Sequence, residues 1–208
     1  MSVLRTQSAN QAPAPTRMSY LRPAIVMTVL LTLATGVVYP FVTTGISTAV
    51  FNYRAEGSLI RDNGVIVGSE LIGQNFTRDN YFWGRPSATS DTPYNPMASG
   101  GSNMAVSNPA LDKAVADRVA ALRKANPQSS PQVPVDLVTA SGSGLDPQIS
   151  VEAAQWQAQR IATARGLTLA QVNKLIDDNT SSPLASFIGP SVVNVLELNH
   201  ALDNVKAQ

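Results

Sequence analysis

Between residues 23 and 53 the chain carries no Asp, Glu, Lys, Arg or His. A helix needs roughly 20 mostly apolar residues to cross the hydrocarbon core. Residues 24–50 exceed that, an excess that tilt absorbs. Tyr20 and Arg22 at one boundary, with Phe51, Tyr53 and Arg54 at the other, are residue types that settle among headgroups. A cleaved signal peptide has an apolar region of only about 7–15 residues, although Ser47-Thr48-Ala49 has the look of a cleavage site. The remainder of the chain is too small and polar to surround such a helix as a core. The predicted organisation is a tail at 1–22, a membrane-spanning helix at 23–50 and a domain at 54–208.

Charge sets the orientation. Arg5, Arg17 and Arg22 precede the helix, against Arg54 and Arg61 soon after it. Lys and Arg accumulate on the cytoplasmic side, which predicts a cytoplasmic N-terminus and an extracytoplasmic domain. That domain holds all fourteen acidic residues and twelve of the fifteen Lys and Arg, a net −2. A nucleic-acid-binding protein needs a basic face, so nucleic acid is not an expected partner. With no cysteine, disulfides and thiolate metal sites are excluded.

Within the apolar run, Thr28, Thr32, Thr35, Gly36 and Tyr39 recur at spacings of three and four, which places them on one face of an α-helix. Small and hydroxylated residues allow a neighbouring helix to approach and hydrogen-bond. The stripe is therefore a candidate helix-packing face, with Pro40 and Gly45 predicting a kink or a frayed end. The plainer alternative is that the threonine hydroxyls bond their own carbonyls four residues back.

Beyond the helix, Asn63-Gly64 between short apolar runs predicts a β-hairpin over 58–68. Residues 84–109 are rich in Gly, Pro, Ser, Thr and Asn and lack periodicity; a segment that long is functional or disordered. Asn108-Pro109 predicts a helix start, with Leu111, Val115, Val119 and Leu122 facing inward. A short strand is expected over 135–139. Ser150 caps a further helix that Gly166 ends. Thr168 and Gln171 form a capping box, with Leu169, Val172, Leu175 and Ile176 predicted to point inward. A last helix covers 194–205. Early strands and late helices predict a small α+β domain.

Signals for chemistry are sparse. There is no phosphate-binding Gly-x-x-x-x-Gly-Lys-Ser/Thr loop, and Asp112-Lys113 is followed by Ala114 rather than by the Thr-Gly of a phosphorylated aspartate. One histidine, His200, and no calcium-type loop leave no metal site in prospect. No catalytic residue is expected. Two glycine-rich stretches, 99–103 and 141–144, can present amides to an anion, but on spacing alone tight turns are the favoured explanation. The enzymatic alternative is an anchored extracytoplasmic hydrolase or binding domain using loop 95–103.

Three longer motifs carry a resemblance. GRPSATSDTPYNPMASGGSN at 84–103 with NPAL at 108–111, DLVTASGSGLDPQIS at 136–150 and VNVLELNHALD at 193–203 resemble, in this order, the C subunit of the Kdp potassium-transporting ATPase. The resemblance covers residues 18–208. It implies a bacterial inner-membrane complex in which an A subunit carries potassium, a B subunit hydrolyses ATP and an F subunit stabilises the assembly. It further implies a non-catalytic subunit that assembles the A and B subunits and acts as a catalytic chaperone raising the B subunit's ATP affinity, with no cofactor of its own and ATP shared with that subunit. Ser141, Gly142, Ser143, Gly144 and Gln148 are the nucleotide contacts so implied. ATP is cytoplasmic while the arginine bias places these loops outside, so either the orientation is the reverse or the effect on ATP is indirect; fixing the A subunit against the B subunit from outside is the favoured role.

Overall fold

The computed structural model describes residues 17–185 and 187–205; most of the predicted cytoplasmic tail lies outside them. The chain divides into two compact units, 1–56 and 57–208.

The first unit comprises α1 (Arg17–Leu33), a π-helical turn (Ala34–Val38), α2 (Tyr39–Val50) and a short α3 (Asn52–Ala55). The stretch Tyr20–Val50 is long and apolar enough to cross a membrane, and its large side chains point outward. The π turn stands directly before Pro40. Proline has no N–H to offer the carbonyl four residues back, and its ring crowds that carbonyl. Widening the preceding turn relieves both problems, and the Tyr39 N–H bonds to the Ala34 carbonyl five residues back. The disturbance expected at Pro40 is thus absorbed in a continuous helix, and Gly45 sits inside α2 without ending it. The wider turn adds a residue, worth about 100° of rotation. The spacing that aligns Thr28, Thr32 and Thr35 therefore does not carry through to Tyr39. Thr35 Oγ1 donates to the Leu31 carbonyl at 2.7 Å, and Thr43 and Thr48 do the same to Tyr39 and Thr44.

The second unit opens with the hairpin β1 (Leu59–Asp62) and β2 (Val65–Ser69), turned through Asn63 and Gly64, both at positive φ, as a tight two-residue loop requires. A bulge between Ile60 and Arg61 shifts its register. After a long irregular segment come α4 (Pro109–Ala125), α5 (Val151–Arg165), α6 (Leu169–Asp178) and α7 (Val195–Asp203). The capping residues act as expected. Asn108 Oδ1 accepts from Ala110 N, Ser150 Oγ from Ala153 N, and Thr168 and Gln171 close a reciprocal box. Gly166, at φ +66, ends α5.

Helix α5 is the centre of this unit. Ala153, Ala154, Trp156, Ala158, Ile161 and Ala162 are all buried, the alanines letting neighbours approach closely. Val172 and Ile176 of α6, Leu198 and Leu202 of α7, Leu122 of α4 and Phe82 of the irregular segment complete the core.

Three expectations need correction. Residues 135–139 are not a strand: Val135–Leu137 is a 3-10 turn, held because Asp136 accepts the Ser150 amide at 2.8 Å and Thr139 N–H bonds back to Val135 O. Leu169 is exposed, because it occupies the first turn of α6, ahead of the face that meets α5. Strands are not confined to the early part either. β3 (Gln148–Ser150), β4 (Thr180–Ser181) and β5 (Val192–Asn194) form an antiparallel sheet in the order β3-β5-β4.

Candidate functional site

The motif loops at 84–103 and 141–146 close on each other. Ser87 Oγ donates to the Gly144 carbonyl at 2.7 Å and accepts the Tyr94 amide at 2.9 Å. Arg85 forms an ion pair with Asp146 at 3.0 Å. Gly100 N–H and Ser99 Oγ both donate to the Ser143 carbonyl, at 2.8 and 3.1 Å. They bring the two main chains close, the Gly100 N–H bonding the Ser143 carbonyl directly, and that closeness dictates where glycine stands. A Cβ on Gly144, at φ +68, would lie 2.6 Å from Thr89 Cγ2 and 2.7 Å from the Gly100 carbonyl. One on Gly101 would lie 3.1 Å from the Gly142 carbonyl.

Tyr94 is the hub of the first loop. Its φ is +58, a left-handed conformation costing roughly 1–2 kcal/mol in a residue with a Cβ. Burial of its ring offsets that cost. The slot is made by glycines: a Cβ on Gly73 would meet Tyr94 Cε1 at 2.3 Å, and one on Gly84 would meet the phenol oxygen at 2.7 Å. The hydroxyl donates to the Arg85 carbonyl at 2.5 Å. Burial pushes this phenol up to about 12, Asp146 adding to the shift and Arg85 opposing it.

A raised folded-state pKa gives stability that is complete below the unfolded value near 10 and is lost as pH climbs toward 12. Tyr94→Phe is expected to cost about 1 kcal/mol at pH 7, the value of one hydrogen bond. Between pH 8 and 11.5 wild type should lose about 2 kcal/mol relative to this variant. Urea unfolding of both chains in mild detergent at pH 8 and 11.5 checks it, and other titrating groups cancel in the comparison.

The third motif joins the same network. Asn199 of α7 holds the buried Phe82 backbone at both ends, accepting its amide at 2.8 Å and donating to its carbonyl at 3.0 Å. Gln157 of α5 does the same for Trp83, at 2.9 and 3.0 Å. Arg160 donates to the carbonyls of Asp79 and Tyr81 and to Asn126 Oδ1 and stacks on Trp83, 4.2 Å from its ring centre. Asn194 caps α7 through Oδ1 and reaches Glu70 O through Nδ2 at 2.7 Å. Gln157 and Arg160 escaped the sequence reading; two polar residues three apart on a face whose period calls for apolar ones were the available signal.

The residues implied as nucleotide contacts divide. Ser141 and Gly144 are buried, while Gly142, Ser143 and Gln148 are exposed. Several amides there are already engaged: Gly144 N with Ser141 Oγ, Leu145 N with Ser143 Oγ and Gln148 N with Asp146 Oδ1. Gln148 lines a depression shared with Glu70 and Glu197. Burial, and second the Glu70 charge, raises the Glu197 carboxyl above its ordinary value. Two acidic side chains make a poor seat for a polyphosphate. In loop 95–103, Asn95 is spent on Met97 N and Ser90 O. Among the described residues no group of three His, Asp or Glu is arranged to hold a metal.

The chain therefore joins one helix of membrane-crossing length to a small α+β unit whose sequence motifs bind one another. It belongs to the family of K+-transporting ATPase c chains (KdpC), whose profile matches residues 21–204. It is 60% identical over 189 residues to a potassium-transporting ATPase KdpC subunit of Serratia proteamaculans, covering 91% of this chain and all of that one. The corresponding Erwinia tasmaniensis protein is 61% identical over 186 residues, covering 89% of this chain and 98% of that one. For Yersinia enterocolitica the identity is 60% over 186 residues, with 89% and 93% covered. The chain is thus a subunit of a potassium-transporting ATPase complex.

Proposed function

We propose that the chain is a non-catalytic subunit that assembles the A and B subunits of an ATP-driven potassium importer in the bacterial inner membrane, beside the F subunit. Its N-terminus is cytoplasmic and its main domain lies outside. The observation that carries this reading is the closure of the motif loops on each other: the side chains that a catalytic cleft would aim at substrate are used to hold backbone. Beside exposed polar residues such as Asp91, Ser99 and Asn103, the loops and the segment after them also present apolar side chains outward, with Met97 and Val106 almost fully exposed and Met104 partly so. That surface suits a partner protein better than a small polar ligand.

In this reading the chain raises the B subunit's ATP affinity by favouring one state of the pump, which requires different contacts with its two states. Direct contact through Ser141, Gly142, Ser143, Gly144 and Gln148 is disfavoured by the engaged amides and the neighbouring carboxylates. The helix packs on a partner through Thr28, Thr32, Thr35 and Gly36, with Tyr39 contributing from a rotated position. A Cβ on Gly36 meets nothing within 4 Å in the chain itself, so any penalty from a larger residue there must arise in the complex.

Thr32→Leu with Gly36→Leu is expected to reduce recovery of the intact complex about tenfold, or 1.4 kcal/mol. Leucine at Ala34, two positions on and roughly 200° around, should leave recovery near wild type. Co-purification from mild detergent measures both. Equal losses would remove the packing face, and a complex that assembles fully without this chain would remove the assembly role.

A further inference from the structure

The connection from β4 to β5 is built as a stalk with an apolar tip. Thr180 pairs with Val193 and Ser181 with Val192. The Ser182 and Ser191 hydroxyls meet at 2.8 Å across the base, and Ile188 N–H closes a turn onto the Ala185 carbonyl at 3.0 Å. At the end stand Leu184, Phe187 and Ile188, with relative exposures of 105%, 90% and 65%. No charged residue or histidine occurs from residue 179 to residue 196, although Asp178 and Glu197 stand at either end. Exposed apolar side chains clustered in this way mark a site that meets another apolar phase. A complete absence of charge suits lipid better than a protein rim, where polar and charged groups normally surround an apolar centre.

The chain's own helix also brings a bilayer as an available apolar phase. The helix Tyr20–Val50 has membrane-crossing length, and the seven residue-to-residue steps from Val50 to Gly57 reach at most about 25 Å even when extended. Tethering of that kind turns weak surface binding into an intramolecular event.

We propose that the β4–β5 loop is a membrane-dipping tip, with Leu184, Phe187 and Ile188 seated in the interfacial layer of the bilayer that holds the chain's own helix. This rests on the membrane anchorage adopted above, and the experiment separates the two. The chain has no cysteine, so Ala185→Cys, Ile46→Cys and Val135→Cys each give one site for an environment-sensitive fluorophore. The full chain is reconstituted into vesicles with and without brominated lipid. Interfacial apolar groups sit about 5–10 Å into the headgroup and acyl boundary, where bromine quenches by contact. The expected result is strong quenching at positions 185 and 46 and none at 135, which lies on an exposed turn. Adding Leu184→Ser with Phe187→Ser should abolish quenching at 185 alone.

Quenching at 46 without quenching at 185 overturns the tip and leaves the anchor standing. No quenching at 46 overturns the anchor itself. Equal quenching at 185 and 135 indicates general adsorption and overturns the tip. Shielding at 185 that needs partner subunits and shows no bromine effect assigns the tip to a protein and overturns it likewise.

Discussion

Asn199→Ala should lower the unfolding free energy of the full chain by about 4 kcal/mol, because it strands two buried backbone groups at roughly 1–3 kcal/mol each. Phe82 is fully buried, and its amide and carbonyl both find their partner in the Asn199 carboxamide. No sheet ladder serves this part of the chain, so nothing adjacent replaces the lost bonds. Asn199→Asp should retain the amide bond but place a charge against the Phe82 carbonyl, and it should be no better than alanine. Chemical unfolding in mild detergent, followed by tryptophan emission from Trp83 and Trp156, gives the value. A loss below about 1 kcal/mol, within the worth of one ordinary hydrogen bond, would mean that solvent reaches Phe82 and that the core is looser than described.

The second large effect sets two glycines of one stretch against each other. Gly144→Ala is expected to cost about 3–4 kcal/mol, the sum of a left-handed residue gaining a Cβ and overpacking against Thr89 and the Gly100 carbonyl. Gly142→Ala should cost under about 0.5 kcal/mol, as exposed positions usually do, since a Cβ there meets nothing within 4 Å. ATP affinity of the assembled pump separates structure from ligand contact. If Gly142 offers its amide to nucleotide at close approach, the added methyl of Gly142→Ala will crowd the ligand and weaken ATP binding while leaving stability alone. If the loops serve assembly, only Gly144→Ala will alter the complex, and it will do so by opening the join between the first two motifs.

Local chemistry made much of the fold legible. Asn63-Gly64, Asn108-Pro109, Ser150, Gly166 and the Thr168–Gln171 pair each act within a few residues, and each behaves in the structure as its side chain dictates. What escaped is non-local. The strands β3, β4 and β5 are two or three residues long and exist because distant segments pair, so no alternating pattern announces them. The 3-10 turn at Val135–Leu137 depends on a carboxylate reaching Ser150, a contact that the run of apolar residues does not advertise. The π turn was half visible, since Pro40 required some accommodation without saying which. At the candidate site, glycine-rich loops were found but their relation was not. Whether a glycine serves a turn, an anion or a second loop depends on what lies opposite it, and for Gly144 that is Thr89 and Gly100.

The irregular stretch between β2 and α4 has a practical corollary. Its main chain is fastened at separate points by Asn199, Gln157, Arg160 and Ser87, much as a cable is held by clips. Each fastener is unique, so a peptide tag spliced into this stretch would detach it from the helices, however loop-like it looks on paper.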